Sequence, residues 1–155
     1  MRLPDFRVLA LAATMALPGC RSGRPATLST AQLREVPVQV TFGGQTLVLE
    51  SYLWRDFMPV APREGRPLAA VLRLRARGEP VSRAVDVDSA WVIWGDRVWA
   101  TAPKADAQSG GDRELLARGG PRWPPGTEVE VVVRLRERDA YAFLRAPRQR
   151  IRRTD

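Results

Sequence analysis

The chain contains no histidine and no asparagine, a single lysine at position 104 and a single cysteine at position 20. Without histidine it lacks the side chain that most often serves as a general base and as a transition-metal ligand. One cysteine cannot form an internal disulfide, so the domain must form its core without one. The serines also lack the G-x-S-x-G pattern of a nucleophile elbow, and no glycine-rich phosphate loop links a strand to a helix. These absences predict a protein that is not an enzyme and that needs no cofactor and no metal.

The first twenty residues combine a basic start with a short apolar stretch. Arg2 and Arg7 precede residues 8–17, which carry no charge. The turn-forming Pro18 and the small Gly19 separate this run from Cys20. This order is typical of a secretory signal peptide. The apolar run has about half the ~20 residues that a membrane-spanning helix needs, so we expect a signal and not a permanent span.

The segment Leu17-Pro18-Gly19-Cys20 resembles the lipobox of bacterial lipoproteins, in which leucine lies three positions before the modified cysteine and a small residue directly precedes it. The resemblance implies that residues 1–19 are removed and that Cys20 carries lipid, which would anchor the protein in a membrane of the cell envelope. Two or more acyl chains anchor a protein stably, whereas one chain is marginal. Arg21, where the enteric sorting rule has Asp for inner-membrane lipoproteins, implies the periplasmic face of the outer membrane if the organism is Gram-negative.

The net charge is +8 at pH 7, and all 25 basic residues except Lys104 are arginine. A basic surface favours anionic partners. In an envelope these are anionic lipids or cell-wall polymers, with an envelope protein as a further partner. We expect no nucleic acid, because an exported and lipid-anchored protein seldom meets it.

After residues 20–35, which are polar and predict a flexible tether, hydrophobicity alternates with the period of two that is typical of half-buried strands. The segments with strand character are residues 36–42, 46–54, 68–76, 81–87, 91–94, 97–100, 128–136 and 140–146. Residues 36–155 are therefore predicted to form an all-β domain, an antiparallel sandwich of about 7–8 strands.

Pro125-Gly126-Thr127 and the alternating run from Val129 resemble the corner before the sixth strand of fibronectin type III and other immunoglobulin-like domains. The likeness implies an immunoglobulin-like sandwich, although Val129 stands where those domains usually have tyrosine. Alternation in this strand points Val131 inward and Glu130 outward. We therefore expect Val131→Asp to unfold the domain and Glu130→Lys to be tolerated.

The strongest hairpin signal is WVIWGDRVWA, residues 91–100, with a two-residue turn at Gly95-Asp96. Such a turn pairs Trp94 with Arg97 and places Trp94, Arg97 and Trp99 on one face. If exposed, this face would be a binding surface, because large aromatic residues and arginine dominate interface energetics. The alternative is that the rings belong to the core and that Arg97 makes only a cation–π contact with Trp94.

The polar stretch over residues 103–120 contains the one predicted helix of the domain. Asp112 would cap a short helix over residues 113–118, and Gly119-Gly120 would end it.

Two carboxylate pairs, Asp86 with Asp88 and Glu128 with Glu130, each have a spacing of two residues on one strand face. Such pairs can contribute to a calcium site, which takes about 6–8 oxygen ligands, or can hydrolyse glycosides. No full ligand set accompanies them, so we interpret both as solvated strand faces.

Three classes of function remain open. The first is a lipid-anchored, non-catalytic interaction module of the bacterial envelope. The second is a carbohydrate- or cell-wall-binding module that uses the surface of Trp94, Arg97 and Trp99. The third is an accessory subunit of an envelope enzyme. The solvent accessibility of the five tryptophans would separate the first class from the second.

Overall fold

A computed structural model describes residues 28–105 and 113–155. About 58% of these residues lie in strands and 4% in a helix. The predictions for residues 1–19, for Cys20 and Arg21, for the first part of the tether and for Asp112 lie outside the described residues. The elements are α1 (Thr30–Arg34), β1 (Gln39–Phe42), β2 (Gln45–Asp56), β3 (Leu68–Ala76), β4 (Asp86–Trp94), β5 (Arg97–Thr101), β6 (Lys104–Ala105), β7 (Arg113–Gly120), β8 (Glu128–Glu137), β9 (Ala140–Arg145), β10 (Gln149–Arg150) and β11 (Arg152–Thr154).

Two sheets pack face to face. Sheet I has the order β1-β2-β3-β7-β6, with β11 parallel to the end of β2. Sheet II has the order β10-β8-β4-β5, with β9 also paired to β8. The paths β2-β3-β7-β6 and β5-β4-β8-β9 have the strand order of an immunoglobulin sandwich. The predicted all-β sandwich is confirmed, with eleven strands in the described residues because several short pairings add to the expected set.

The core lies between the sheets and follows the predicted alternation. Leu47, Leu49 and Leu53 of β2 face Val129 and Val131 of β8 across the interior, and none of these side chains exceeds 1% exposure. Burial of one such side chain contributes about 1.5–3 kcal/mol to stability. The inward orientation predicted for Val131 is therefore confirmed.

Two local predictions are wrong. Residues 113–118 are not a helix, because Arg113–Gly120 forms β7 and pairs along β3. Without that partner β3 would be an edge strand with unsatisfied backbone groups, and tertiary pairing overrides the weak local preference for a helix. The predicted strand over residues 81–87 is wrong for residues 81–85, since β4 begins only at Asp86. Before it, the side chain of Gln45 accepts a hydrogen bond from Ser82 N at 2.8 Å and holds a loop.

Residues 28–38, which we call the N-terminal strap, cross the outer face of sheet II. Ser29 caps α1 through a reciprocal capping box with Gln32. Leu33 and Val36 then form a second apolar cluster with Ile93 of β4 and Val132 of β8. Residues 28–35, predicted as the end of the flexible tether, instead contain α1, and Leu33 within them is buried against sheet II.

The strap also changes the surroundings of Glu130. This residue points away from the central core, as predicted, yet it is only 9% exposed. Its carboxylate lies 3.6 Å from Arg34 of α1 and 3.4 Å from Arg148. A lysine here would place a third cation beside Arg34 and Arg148, so the structure favours destabilisation by Glu130→Lys over the tolerance that alternation alone predicts.

Candidate functional site

The hairpin of β4 and β5 has the predicted turn and register. Trp94 pairs with Arg97, and Val92 pairs with Trp99. Gly95 has a φ of 55°, a left-handed conformation that glycine adopts without strain. The guanidinium of Arg97 lies 5.0 Å from the centre of the Trp94 ring. The structure therefore brings together all three side chains that the sequence nominated for binding.

The two nominated indoles, Trp94 and Trp99, are half-buried and pack against the central core. Trp94 meets Trp123 edge-on, with 5.6 Å between ring centres and 66° between ring planes. Trp99 covers Gly120, where a Cβ atom would lie 2.8 Å from the indole. Among the three nominated side chains only Arg97 is exposed. A partner at this hairpin would thus meet one exposed cation and two half-buried rings that already support the core.

The outer face of sheet I carries an aromatic surface that the sequence analysis did not single out. Tyr52 and Trp54 project from β2 with their ring centres 5.6 Å apart and their planes at 35°. Tyr52 lies opposite Val71 of β3, which lies opposite Leu116 of β7, and Trp54 lies opposite Ala69. We call these five residues the aromatic face.

Shallow depressions follow the aromatic face across the strands. One of about 310 Å³ lies beside Tyr52, one of about 210 Å³ beside Trp54 and one of about 500 Å³ beside Leu116. Their arrangement fits an elongated ligand that lies across β2, β3 and β7.

Ion pairs border the aromatic face at the side nearer the start of β2. Arg73 lies 2.7 Å from Glu114, and Arg75 lies 3.1 Å from Glu50. These charges neutralise one another and leave the border polar.

Cations without a carboxylate partner flank the rest of the face. The guanidinium of Arg152 lies 5.6 Å from the centre of the Tyr52 ring. Lys104 and Arg118 are exposed beside Leu116. No ion pair within the described part of the chain involves these three side chains. The surface is therefore net positive and suits a partner that carries negative charge.

A signal for the aromatic face was present in the sequence. Residues i and i+2 of a strand share a face, so the inward leucines of β2 already required Tyr52 and Trp54 to point outward together. What the sequence could not supply was their neighbours. Val71 and Leu116 join the surface only through the pairing of β2 with β3 and of β3 with β7, and β7 had been predicted as a helix.

The carboxylates of β4 are engaged by arginine. Arg134 donates from Nε and Nη2 to both oxygens of Asp88, at 2.7 and 2.9 Å, and Arg113 lies 3.5 Å from Asp86. Burial raises the pKa of Asp88, but hydrogen bonds from Arg134 and Ser89 and the positive charges nearby outweigh it, so its pKa lies below the ordinary value. The same contact raises the pKa of Arg134.

The carboxylates of β8 are engaged in the same way. Arg148 lies 3.5 Å from Glu128 and 3.4 Å from Glu130. Across residues 28–105 and 113–155, no three side chains of the metal-ligating types come close enough together to hold an ion. Asp86 and Glu128, whose side chains are 66% and 52% exposed, fit the interpretation as solvated faces, whereas Asp88 and Glu130, with side chains 20% and 12% exposed, are partly buried partners of arginine.

The nominated lipidation site, Cys20, lies outside the described residues and eight positions before Leu28. In the part of the chain that the structure covers, no helix has the length and hydrophobicity to cross a bilayer. No protein-family model, curated protein or solved structure matches the chain.

Proposed function

We propose that this protein is a lipid-anchored, non-catalytic interaction module of the bacterial envelope, with the aromatic face of sheet I as its recognition surface. The observation that carries the proposal is the difference between the two outer faces of the sandwich. The N-terminal strap covers sheet II and reduces the exposure of Ile93 to 1% and of Val132 to 0%. No described segment covers the aromatic face, where Tyr52 is 43% exposed.

The chemistry of the aromatic face supports recognition. Contiguous apolar surface in water is a feature of interaction sites. Tyrosine and tryptophan bury much area at a low entropic cost, and together with arginine they provide most of the residues that dominate binding energy. The cations Lys104, Arg118 and Arg152, which make no ion pair among the described residues, would attract an anionic partner and align it on the face.

A second candidate function, binding of a carbohydrate or cell-wall polymer, is favoured by one specific observation. The neighbouring rings of Tyr52 and Trp54 lie along a series of depressions and not around one deep pocket. A polysaccharide could lay the apolar faces of its sugar rings on them, while its carboxylates or phosphates meet Arg152. In this form the module uses the aromatic face in place of the hairpin of Trp94, Arg97 and Trp99.

Lipidation at Cys20 remains part of the proposal, with the periplasmic face of the outer membrane as the location in a Gram-negative organism. Because Leu28 is already packed in the strap, the connection from Cys20 consists of eight residue steps. It spans at most about 28 Å when fully extended. The packed domain would therefore stay close to the membrane surface.

The recognition surface is tested with a matched pair of tyrosines. Tyr52 is 43% exposed on sheet I and Tyr141 is 47% exposed on sheet II. Each has an arginine over its ring, at 5.6 and 5.2 Å. The full chain, Tyr52→Ser and Tyr141→Ser are compared for binding to purified sacculi and to solubilised envelope proteins. We expect Tyr52→Ser to weaken binding about tenfold or more, with Tyr141→Ser unchanged. Equal binding by all three proteins would contradict the proposal.

The anchor is tested separately by Cys20→Ser. Loss of the thiol should move the protein out of the membrane fraction or leave it as unprocessed precursor. Normal processing and continued membrane association of Cys20→Ser would refute lipid anchoring, without bearing on the aromatic face.

A further inference from the structure

The loop between β2 and β3 presents apolar side chains to solvent at its tip. Val60 is 83% exposed, the largest value among the exposed large hydrophobic residues in the described part of the chain, and Met58 is 48% exposed. Both belong to the segment Phe57-Met58-Pro59-Val60-Ala61-Pro62. Two exposed apolar side chains on one loop tip form a small apolar patch, and such patches can mark contacts with proteins or membranes.

The loop is fixed from below. Arg55, 4% exposed, points into the end of the sandwich and donates to the carbonyl oxygens of Glu64 and Arg66, the latter at 2.9 Å. The ring of Phe57 lies between two guanidinium groups, 4.9 Å from Arg55 and 4.1 Å from Arg153. The contacts of Arg55 and Phe57 therefore fix the base of the loop that presents the tip.

Short backbone turns shape the rest of the loop. Ala61 N donates to Met58 O at 2.7 Å, and Gly65 N donates to Pro62 O at 2.8 Å. Gly65 packs against Phe57 so closely that a Cβ atom would lie 2.6 Å from the ring. These contacts hold Met58 and Val60 outward as a defined apolar tip.

Exposed arginines lie at the same end of the sandwich as this tip. Arg63 in the loop, Arg122 in the β7–β8 connection and Arg150 near the chain end are exposed. Within the described residues none of them makes an ion pair.

The acidic groups at this end are fewer and partly neutralised. Asp56 lies 3.2 Å from Arg66, and Asp155 lies 2.6 Å from Arg153. Glu64 in the loop and Asp96 in the β4–β5 turn are exposed and have no such partner among the described residues. The apolar tip is therefore set in a positively charged rim.

We infer that this end of the sandwich contacts a lipid bilayer, with Met58 and Val60 entering the boundary between headgroups and acyl chains. The arginine rim would bind lipid phosphates, the arrangement that interfacial anchoring favours. A protein partner fits less well, because a stable interface buries about 800 Å² on each side and the apolar tip consists of two side chains on a convex loop. The inference adds a second membrane contact to the proposed lipid anchor and does not involve the aromatic face.

The geometry of the strap permits this contact. The strap cluster includes Ile93, one residue before the end of β4 at Trp94 and thus near the loop end of the sandwich. The connection from Cys20 to Leu28 reaches at most about 28 Å. With the loop on the bilayer the strands stand upright, and the aromatic face remains open at the side.

The test places a fluorescent label at the tip. Val60→Cys in the full chain, acylated and reconstituted into vesicles of phosphatidylethanolamine and phosphatidylglycerol, is labelled with the environment-sensitive dye NBD. Acylation of Cys20 leaves the introduced cysteine as the only free thiol. Asp139→Cys, in the exposed turn at the opposite end between β8 and β9, is the matched control.

We expect a blue shift and increased emission for the label at 60, and the spectrum of an aqueous dye for the label at 139. An aqueous spectrum at 60 in vesicles that carry the protein would overturn the inference. Protection of position 60 in native envelopes but not in vesicles would also overturn it and would indicate a protein partner.

Failure of the lipid anchor is detected independently. Mass spectrometry reports whether Cys20 is acylated. If it is not, the same labels are measured in the Cys20→Ser background with excess anionic vesicles, where the loop contact still predicts a blue shift at 60. Its absence there would overturn the loop contact, and its presence would support it without an anchor.

Discussion

Asp88 and Arg134 form a two-point ion pair beside the bulge of β4. The register between β4 and β8 shifts between Val87 and Ser89, so the pair closes a site where the regular ladder is interrupted. Their side chains are 20% and 17% exposed. Because the pair is partly buried, water and salt screen its charges less than those of an exposed ion pair. Its charge-assisted hydrogen bonds therefore contribute more to stability.

We predict that Asp88→Asn lowers the free energy of unfolding by about 1–3 kcal/mol, because Arg134 loses a charged acceptor. Asp86→Asn is the control, since that side chain is 66% exposed, and it should change stability by less than about 0.5 kcal/mol. Urea denaturation at neutral pH measures both. Equal effects would show that the two-point geometry contributes nothing.

The pH dependence of this contribution has a definite sign. Because the folded pKa of Asp88 lies below its ordinary value, the stabilisation is fully present above the unfolded pKa of about 3.9. It disappears as the pH falls through the lowered folded pKa. The difference in unfolding free energy between the parent chain and Asp88→Asn should therefore shrink as the pH falls from about 3.9 through the folded pKa of Asp88.

Glu130 and Val131 show how far alternation alone predicts the effect of a substitution. Val131 is 0% exposed in the central core, so Val131→Asp should cost more than about 4 kcal/mol and unfold the domain. Alternation also placed Glu130 outside, but the strap on that side could not be inferred from a period of two.

We predict that Glu130→Lys destabilises the domain by about 3 kcal/mol, because it leaves Arg34 without its anion and adds a like charge. Glu128→Lys is the matched control, since the Glu128 side chain is 52% exposed. Thermal unfolding compares the two proteins. A wild-type midpoint for Glu130→Lys would mean that the strap does not close this site.

At the scale of elements, α1 stabilises the domain through packing. Its five residues are too few for a helix that is stable on its own. The helix therefore depends on Leu33, which is 1% exposed against Ile93 and Val132.

We predict that Leu33→Asp releases the strap and exposes Ile93 and Val132. Binding of the dye ANS and cleavage by trypsin near Arg34 should both increase. Ala31→Asp introduces the same charge on the exposed side of α1, near the helix N-terminus where acidic groups are favourable. That control should behave like the parent chain. Unchanged ANS binding by Leu33→Asp would contradict the role of the strap.

The elements that the sequence predicts correctly are those whose local pattern of residues is enough to determine their secondary structure. The hairpin has a turn signal at Gly95-Asp96. Strands β3 and β8 have the alternation of apolar and polar residues that is typical of half-buried strands. The elements predicted wrongly depend on distant partners. Residues 113–118 have neighbouring leucines that fit a helix as well as a strand, and only the open edge of β3 selects the strand.

Which face of the molecule is exposed depends on the whole fold and cannot be predicted from local sequence patterns. Trp94, Arg97 and Trp99 were correctly predicted to share a face, but whether that face is exposed depends on Trp123 and Gly120 from the other side of the sandwich. The aromatic face is open because no described segment crosses sheet I, whereas the strap crosses sheet II. Whether a segment covers the outer face of a sheet depends on the path of the chain, which the pattern of a single strand does not reveal.

The central core contains residues of both sheets, and this predicts cooperative unfolding of the whole domain. Leu72 of sheet I and Val133 of sheet II belong to the same buried cluster, together with Trp123, and Trp94 and Trp99 pack against it. Neither sheet can separate without exposing the apolar face of the other. Single domains of this size usually unfold in one step with a free energy of about 5–15 kcal/mol. We therefore expect the urea curve followed by far-UV circular dichroism, which reports both sheets, to coincide with the curve followed by tryptophan fluorescence, which reports mainly this core. Separate midpoints would mean that one sheet persists after the core has opened, and would contradict a single shared core.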